Sequence, residues 1–232
     1  MEEQVEEKEI KVFKEIVEWC FCIFLALIIA LATRYYIFTS TVVKQFSMYP
    51  TLKENQRIVL SRTKRITKSE YKRGDIVTFE EPSEIKRGAE VDLSNKIAIY
   101  NYKPKGIWEK LSYNILELTK KSYIKRVIGV EGDRIQIANG KVYVNGEELV
   151  ENYLQDGVTT KTVYYNDLIV PEGCIFVMGD NRDESMDSRT FGCIPLEKVE
   201  GKVILRYWPI TQFGTVKWNR VKIEQSIQKK KH

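Results

Sequence analysis

The feature that most limits what this chain can form is the charge-free apolar run from Trp19 to Thr33. That run is short for a membrane-spanning helix, which needs roughly 20 residues. The length suffices if Glu18 and Arg34 reach toward the two interfaces. Aromatic residues typical of headgroup level flank it: Trp19, Tyr35, Tyr36 and Phe38. We therefore predict one transmembrane anchor over residues 16–38, preceded by a tail over residues 1–15.

A cleavable signal peptide is the alternative interpretation, because Ala30-Leu31-Ala32 has the small-x-small form of a cleavage site. The long, acid-rich stretch before the run favours an anchor, since a signal peptide begins with a compact positive segment. Basic residues are balanced on the two sides of the run, so charge alone does not set the orientation. No second apolar span follows Phe38, which predicts that the remainder lies on one side of the membrane.

The remainder is long enough for one packed domain, because 43% of the 232 residues are hydrophobic. We predict a single domain over residues 39–225 and a basic tail over residues 226–232. The net charge of +5 is mild, and no recognised binding motif accompanies the basic run at Lys229–Lys231. No nucleic-acid partner is therefore expected.

The histidine and cysteine content excludes several kinds of active site. The only histidine, His232, is the last residue, so a Ser-His-Asp or Cys-His arrangement is not expected. Cys20 and Cys22 lie in the apolar run, while Cys174 and Cys193 are far apart and lack zinc spacing. We predict free thiols, no metal site and no cofactor.

Short β-branched and aromatic runs dominate the chain after the anchor. The clearest are TVVKQF, QRIVLS, DIVTFE, YIKRVIGV, DRIQIA, KVYV, CIFVMG and KVILRYW. Asn139-Gly140 and Asn145-Gly146 separate strand-like runs and are typical of tight hairpins. The pattern predicts a mainly β, antiparallel domain whose exposed edge can accept an extended peptide.

Residues 80–122 differ from this pattern and are interpreted as an insertion. An apolar stripe at helical spacing runs through its second half, at Ile107, Trp108, Leu111, Ile115, Leu116 and Leu118. With Lys110, Lys120 and Lys121 beside it, such a helix is suited to a membrane surface. A helix packed on its own domain is an equally good interpretation.

A hydrolase without a usable histidine can use a lysine as base, if burial leaves the amine neutral near working pH. Ser47 stands where a strand-like run ends and Pro50 sets a turn, although a serine there is usually an ordinary turn residue. Lys125 and Arg126 lie in an apolar strand and point to opposite faces. One of them must face apolar surroundings unless the strand is an edge, and lysine sheds its proton far more easily than arginine.

A polar segment from Gly179 to Gly192 separates two apolar strands. A solvated loop has this composition, and so does a loop that holds several hydrogen-bonding groups in place. Together with Ser47-Met48-Tyr49-Pro50-Thr51-Leu52, Arg73-Gly74-Asp75-Ile76-Val77 and Tyr123-Ile124-Lys125-Arg126-Val127, this segment resembles the motifs of bacterial type I signal peptidases. Their order, their spacing and the preceding anchor agree from the anchor to about Pro209, apart from the insertion.

The resemblance implies a catalytic domain of the signal peptidase and LexA-like type on the outer face of the cytoplasmic membrane, with the N-terminus inside. It implies removal of signal peptides from secretory preproteins, after small residues at the first and third positions before the cut. In that pattern Ser47 is the nucleophile and Lys125 the general base. Ser185 orients the lysine, while Asp187 and Arg189 support the site together with Arg126.

The same resemblance assigns substrate contacts to Asp75, Ile76, Val77 and Met48, and an oxyanion donor to the backbone N–H of Ser47. Two positions before the nucleophile the family commonly has serine or glycine, but this chain has Gln45. The second oxyanion donor is therefore either the Gln45 amide or main chain alone.

Two other functions are compatible with parts of the pattern. A self-cleaving Ser-Lys regulator of the LexA-like type shares the catalytic fold, but it should carry a DNA-binding domain and lack a membrane span. A membrane-anchored scaffold that has lost catalysis is the other, and the presence of Ser47, Lys125 and Ser185 argues against it.

Overall fold

A computed structural model of the chain describes residues 2–67, 70–83, 93–117 and 120–216. Helix α1 runs from Glu2 to Tyr36, and its part from Ile10 to Tyr36 is long and apolar enough to cross a membrane. Residues 2–15 thus continue the same helix, since they are rich in the strong helix formers Glu and Lys. Phe38, predicted as the end of the anchor, already belongs to the first strand.

Eleven strands are assigned within the described residues: β1 (Phe38–Val42), β2 (Arg57–Ser61), β3 (Ile76–Glu80), β4 (Ser122–Val130), β5 (Arg134–Ala138), β6 (Lys141–Val144), β7 (Glu147–Glu148), β8 (Asp167–Ile169), β9 (Cys174–Met178), β10 (Ile194–Pro195) and β11 (Val199–Trp208). Seven of them form one sheet in the order β1-β2-β11-β3-β4-β9-β10, and each neighbouring pair is antiparallel. The predicted mainly β, antiparallel fold after one N-terminal apolar helix is confirmed.

The other four strands form a smaller sheet in the order β7-β6-β5-β8. Its two hairpins turn at the predicted Asn-Gly pairs. Asn139 and Gly140 have φ of 52° and 78°, and Asn145 and Gly146 have φ of 55° and 82°. These left-handed conformations are the ones that two-residue hairpins require and that Asn and Gly tolerate.

The helices after the anchor are short: α2 (Lys64–Thr67), α3 (Ile107–Leu111) and α4 (Ser188–Phe191). A π-helical turn, Ser112–Leu116, continues α3 directly. The helix predicted near residues 107–118 is therefore present up to Leu116, while Leu118 lies outside the described residues. The flanking strands β3 and β4 end and begin at the predicted limits, Glu80 and Ser122.

Strand β4 lies at the centre of the domain because two apolar clusters pack on either side of it. Ile128 packs with the residues of the small sheet, whereas Val127 packs with Val77, Phe79 and Val177 of the large one. Burial therefore extends along β4 from Lys125 to Gly129, and a charged side chain on this strand has little access to water. Cys174 and Cys193 are both buried, with free thiols.

Candidate active site

Ser47 lies in a single 3₁₀ turn, Phe46–Met48, which follows the extended residue Gln45. The predicted strand through residues 41–46 thus ends earlier, at Val42, and the chain begins to turn before the serine. The turn predicted after the serine, at Pro50, is also present. Ser47 is buried, and its carbonyl oxygen accepts a hydrogen bond of 3.1 Å from the Asn181 N–H. The turn is thereby attached to the loop that follows β9.

Lys125 occupies β4 opposite Val77 of β3, and only 1% of it is exposed. Its Nζ lies 2.6 Å from the Ser47 Oγ, within hydrogen-bond distance. The structure therefore brings together the two residues, 78 positions apart in sequence, that were predicted as nucleophile and base.

Burial is the main influence on the Lys125 amine and lowers its pKa to about 8. Asp187 and Asp180 act in the opposite direction through their charges, and Arg189 adds to the lowering. Loss of hydration penalises the ammonium form, because a charge is costly in apolar surroundings. A substantial fraction of the amine is consequently neutral near pH 8 and can accept a proton.

Arg126 points to the opposite face of β4 and is as deeply buried as Lys125. Its guanidinium makes two bonds to Asp180, with Nε 2.8 Å from Oδ1 and Nη2 2.5 Å from Oδ2. It also lies 3.9 Å from the centre of the Tyr153 ring. The two side chains alternate as predicted, but both faces of β4 are buried, and not one face only. A buried arginine is tolerated where a carboxylate pairs with it.

Asp187 and Arg189 form a buried ion pair of 2.8 Å beside the loop after β9. Burial by itself would raise the pKa of Asp187, but the hydrogen bonds and charge of Arg189 hold that pKa below its ordinary value. The Gly179 N–H donates to the Asp187 Oδ2 at 3.0 Å, and Arg189 also donates to the Arg182 carbonyl. This pair braces the polar loop, whereas Arg126 pairs with Asp180 instead.

Ser185 lies directly against Gly179. A Cβ at Gly179 would be 2.2 Å from the Ser185 Oγ and 2.5 Å from the Ser47 carbonyl oxygen, so glycine is needed for this close approach. The Ser185 Oγ is buried and makes no hydrogen bond of good geometry among the described residues, but it lies close enough to the Asp187 carboxylate to contribute to the lowered pKa of Asp187. Its predicted role in orienting Lys125 stays a prediction.

Two cavities meet at Ser47. One has a volume of about 650 Å³ and is lined by both members of the pair and by Ser185. The other, of about 570 Å³, runs between β1 and the start of β4 toward Arg34 at the end of the anchor. Both include Gln45 and Tyr123 in their walls. Together they form a cleft that leads from Ser47 back to the end of α1.

The residues predicted to contact substrate lie at different places around this cleft. Met48 lines the second cavity, and the exposed Gln45 lies at the junction of both. Asp75 pairs with Lys202 at 2.5 Å, and Ile76 and Val77 are packed in the apolar clusters. Of β3, the residue that lines the second cavity is Thr78. Substrate contact by Asp75, Ile76 and Val77 stays a prediction.

The sequence analysis did not predict that Asp180 pairs with Arg126 or that Gly179 lies in close contact with Ser185. Asp180 and Gly179 follow the buried strand β9 as a Gly-Asp pair, a signal that indicates a tight approach with an oriented carboxylate. It also missed the buried Arg182, which pairs with Glu151 and donates to Thr160. These residues join the loop after β9 to the small-sheet side of the domain.

The described residues contain no group of three or more His, Cys, Asp and Glu side chains arranged to hold a metal ion. A buried hydroxyl in contact with a partly neutral amine can attack an electrophilic carbonyl, provided that the amine accepts the hydroxyl proton.

Comparison with known proteins agrees with this arrangement. The sequence profile described as "Signal peptidase, peptidase S26" matches residues 16–208. Signal peptidase IB of Staphylococcus aureus (strain COL) is 32% identical over 216 residues, which cover 86% of this chain and 93% of that protein. Signal peptidase I of Bacillus caldolyticus is 32% identical over 202 residues, covering 82% of this chain and 91% of that protein.

The chain also matches a crystal structure of a signal peptidase I from Enterococcus faecalis V583. The two sequences are 26% identical, and the match covers 58% of this chain and 97% of the other. Its TM-score of 0.37 is too low to support a fold assignment, so family membership rests on the sequence matches. They extend from within the anchor to the last strand and include all four motifs described above. The chain belongs to the signal peptidase family, peptidase S26.

Proposed function

We propose that this protein is a membrane-bound serine endopeptidase that removes N-terminal signal peptides from exported preproteins, with Ser47 as nucleophile and Lys125 as general base. The observation that carries the proposal is the contact of 2.6 Å between the Lys125 Nζ and the Ser47 Oγ. The lowered pKa of Lys125, about 8, supports the role of base.

In the proposed reaction the neutral Lys125 amine accepts the Ser47 proton while the Ser47 Oγ attacks the scissile carbonyl carbon. Collapse of the tetrahedral intermediate breaks the peptide C–N bond, and the lysine ammonium gives its proton to the departing amine. An acyl ester on Ser47 remains. Water then attacks this ester with the same lysine as base, which releases the signal peptide and restores the serine.

The backbone N–H of Ser47 is proposed as one donor to the oxyanion. Ser47 stands in the first turn of a 3₁₀ helix, where N–H groups lack partners within the helix. Gln45 is proposed as the second donor because it is exposed, extended (φ −134°, ψ 157°) and part of the wall of both cavities. A donor in this position is worth about 10²–10³-fold in rate in comparable sites.

Substrate is proposed to bind as an extended strand in the second cavity. Strand β1 is the edge of the large sheet, and residues 122–125 of β4 pair with β3 but precede the pairing with β9. Unpaired main-chain groups on both walls can therefore bind a peptide between them. A peptide leaving Ser47 along β1 reaches the end of the anchor, as a signal peptide held in the bilayer requires.

The proposed orientation places the N-terminus inside the cell and the catalytic domain on the outer face of the cytoplasmic membrane. Ser185 is proposed to orient Lys125 from the first cavity, which both residues line. The buried ion pairs of Asp187 with Arg189 and of Arg126 with Asp180 are proposed to hold the loop after β9 in register with Ser47.

The decisive experiment incubates the purified full chain with a model preprotein in detergent or proteoliposomes and sequences the N-terminus of the released product. One cut after an alanine at the signal peptide boundary is expected, and Ser47→Ala should abolish it. A cut elsewhere, or cleavage that survives Ser47→Ala, would contradict the proposal.

Specificity is tested by replacing the alanine before the cut with phenylalanine, which should abolish cleavage if the pocket beside Ser47 accepts only a small side chain. Replacing a residue several positions before the cut serves as the control. Equal cleavage of the alanine and phenylalanine substrates would indicate a different protease specificity.

A further inference from the structure

Helix α3 exposes large apolar side chains to an unusual degree. Ile107 is 76% exposed and Trp108 85% exposed, although both belong to the apolar stripe of the insertion. The catalytic domain therefore leaves the first residues of the stripe uncovered, whereas Leu111 and Ile115 further along it are half-buried. Neighbouring apolar side chains of this size that remain uncovered indicate an interaction surface.

Arg62 links the insertion to the C-terminal end of α1. Its Nη2 lies 2.7 Å from both carboxylate oxygens of Glu117, at the end of the π-helical turn. Its Nη1 donates to the Arg34 carbonyl at 3.4 Å, and its backbone N–H donates to the Ile37 carbonyl at 2.8 Å. With only 1% of its side chain exposed, Arg62 is a buried link between the anchor and the insertion.

Side-chain exposure along α1 agrees with this attachment. Every side chain from Ile10 to Ala30 is exposed, and partial burial begins only at Leu31, Thr33 and Tyr35. The last turns of α1 also contact the π-helical turn of the insertion. Because Arg34 and the adjacent tyrosines are typical of the headgroup region, the insertion lies at the level of the membrane surface.

The exposed apolar face of α3 is surrounded by basic side chains. Lys103, Lys105 and Lys110 are exposed around α3. Glu109 accepts hydrogen bonds from the Tyr102 hydroxyl and the Lys105 N–H, each at 2.6 Å, so the preceding loop is held to the helix. The apolar and basic groups thus form a surface suited to the boundary between acyl chains and anionic headgroups.

We propose that residues 102–111 are a second membrane contact, in which Ile107 and Trp108 insert into the outer leaflet beside the anchor. The helix from Ile107 to Leu116 is about 15 Å long, so these side chains lie within that distance of the contact with α1. Two points of contact would fix the tilt of the catalytic domain relative to the bilayer, which a single helix would not. The proposal rests on α1 as membrane anchor and not on the peptidase activity.

The test uses the full chain in nanodiscs of phosphatidylcholine and phosphatidylglycerol, with Trp108 as the only tryptophan (Trp19→Phe, Trp208→Phe and Trp218→Phe). An indole about 5–10 Å deep lies near bromines at the top of the acyl chains. Brominated lipids should therefore quench Trp108, and the bilayer should protect it from acrylamide. The matched control lacks these tryptophans and Trp108, and carries Ile169→Trp on the exposed face of the small sheet; it should respond only to acrylamide.

Reversal of the basic charges provides a second variant whose folding is not at risk, because the side chains are exposed. Lys103→Glu, Lys105→Glu and Lys110→Glu together should weaken lipid quenching of Trp108 in anionic nanodiscs. Unchanged quenching would overturn the electrostatic part of the proposal. Trp108 that is open to acrylamide and insensitive to brominated lipid would overturn the whole. Protection from acrylamide without lipid quenching would also overturn it, since this result indicates a protein partner such as a second copy.

Discussion

The two faces of β4 carry neighbouring cations in different surroundings. Among the described residues, Lys125 contacts the Ser47 hydroxyl and no carboxylate, whereas Arg126 contacts both oxygens of Asp180. Each is 1% exposed, so the difference between them does not come from the extent of burial. It comes from the group that contacts each cation, a hydroxyl for Lys125 and a carboxylate for Arg126.

This difference separates a group that can exchange protons from one that holds structure. Burial without a contacting carboxylate lowers the pKa of Lys125 to about 8, and the amine becomes a usable base. An arginine keeps its charge at any working pH, so Arg126 requires the paired oxygens of Asp180. Exchanging the two environments would therefore remove either the proposed proton acceptor or a charge pair that stabilises the fold.

The largest effect is expected from removing the base itself. Lys125→Arg retains the charge but cannot accept a proton, so its kcat should fall by about 10²–10⁴-fold. Lys125→Met, which is close in size and neutral, should be equally inactive and remain folded. Single-turnover cleavage of a preprotein, with circular dichroism to check folding, measures this. Near-normal cleavage by either variant would contradict the assignment of Lys125.

Breaking the other pair should affect stability more than chemistry. Arg126→Met leaves the Asp180 carboxylate buried without its partner, which costs about 3–5 kcal/mol in the free energy of unfolding. Arg126→Met combined with Asp180→Leu should recover most of this loss, because no unpaired charge then remains. Thermal unfolding of the three variants tests the interpretation. A double variant as unstable as the single one would show that the pair is not the reason.

An added methyl group at Gly179 tests the contact between the loop and the nucleophile. Gly179→Ala would place a carbon 2.2 Å from the Ser185 Oγ and 2.5 Å from the Ser47 carbonyl oxygen, so one of the two must move. Overpacking of this kind costs about 1–3 kcal/mol. We expect kcat to fall with little change in KM. A lower Tm with unchanged kcat of the folded fraction would show that the contact supports folding only.

The smallest change concerns pH. Below the pKa of about 8 the Lys125 ammonium predominates, so kcat/KM should fall by about tenfold for each pH unit.

Because the folded-state pKa lies below the ordinary value of 10.5, the folded protein binds fewer protons between these values. Lys125 therefore makes the free energy of unfolding rise with pH across that interval. Lys125→Met should lack this rise; if the variant retained it, another group would be responsible.

Most of the fold was accessible from local patterns. The Asn-Gly turns predicted both hairpins, and the β-branched runs predicted the strands, because each depends on the preferences of a few adjacent residues. The early end of β1 at Val42 was not predicted, since the next residues remain strand-like in composition. The helix α1 is also longer than the predicted anchor. Hydropathy identifies the apolar part of a helix, but it does not identify the polar residues with which the same helix begins.

The pairing of Ser47 with Lys125 came from the combination of separated motifs, none of which was decisive alone. The single histidine at position 232 made a lysine the expected base, and alternation already separated Lys125 from Arg126. The sequence by itself thus predicted the N-terminal apolar helix, the antiparallel strands and the candidate catalytic residues, since these follow from hydropathy, turn preference and side-chain chemistry. Tertiary structure decided that Asp180 pairs with Arg126 and that Gly179 lies against Ser185. It also decided that Arg62 joins the anchor to the insertion, because these contacts link residues distant in sequence and depend on how the elements pack.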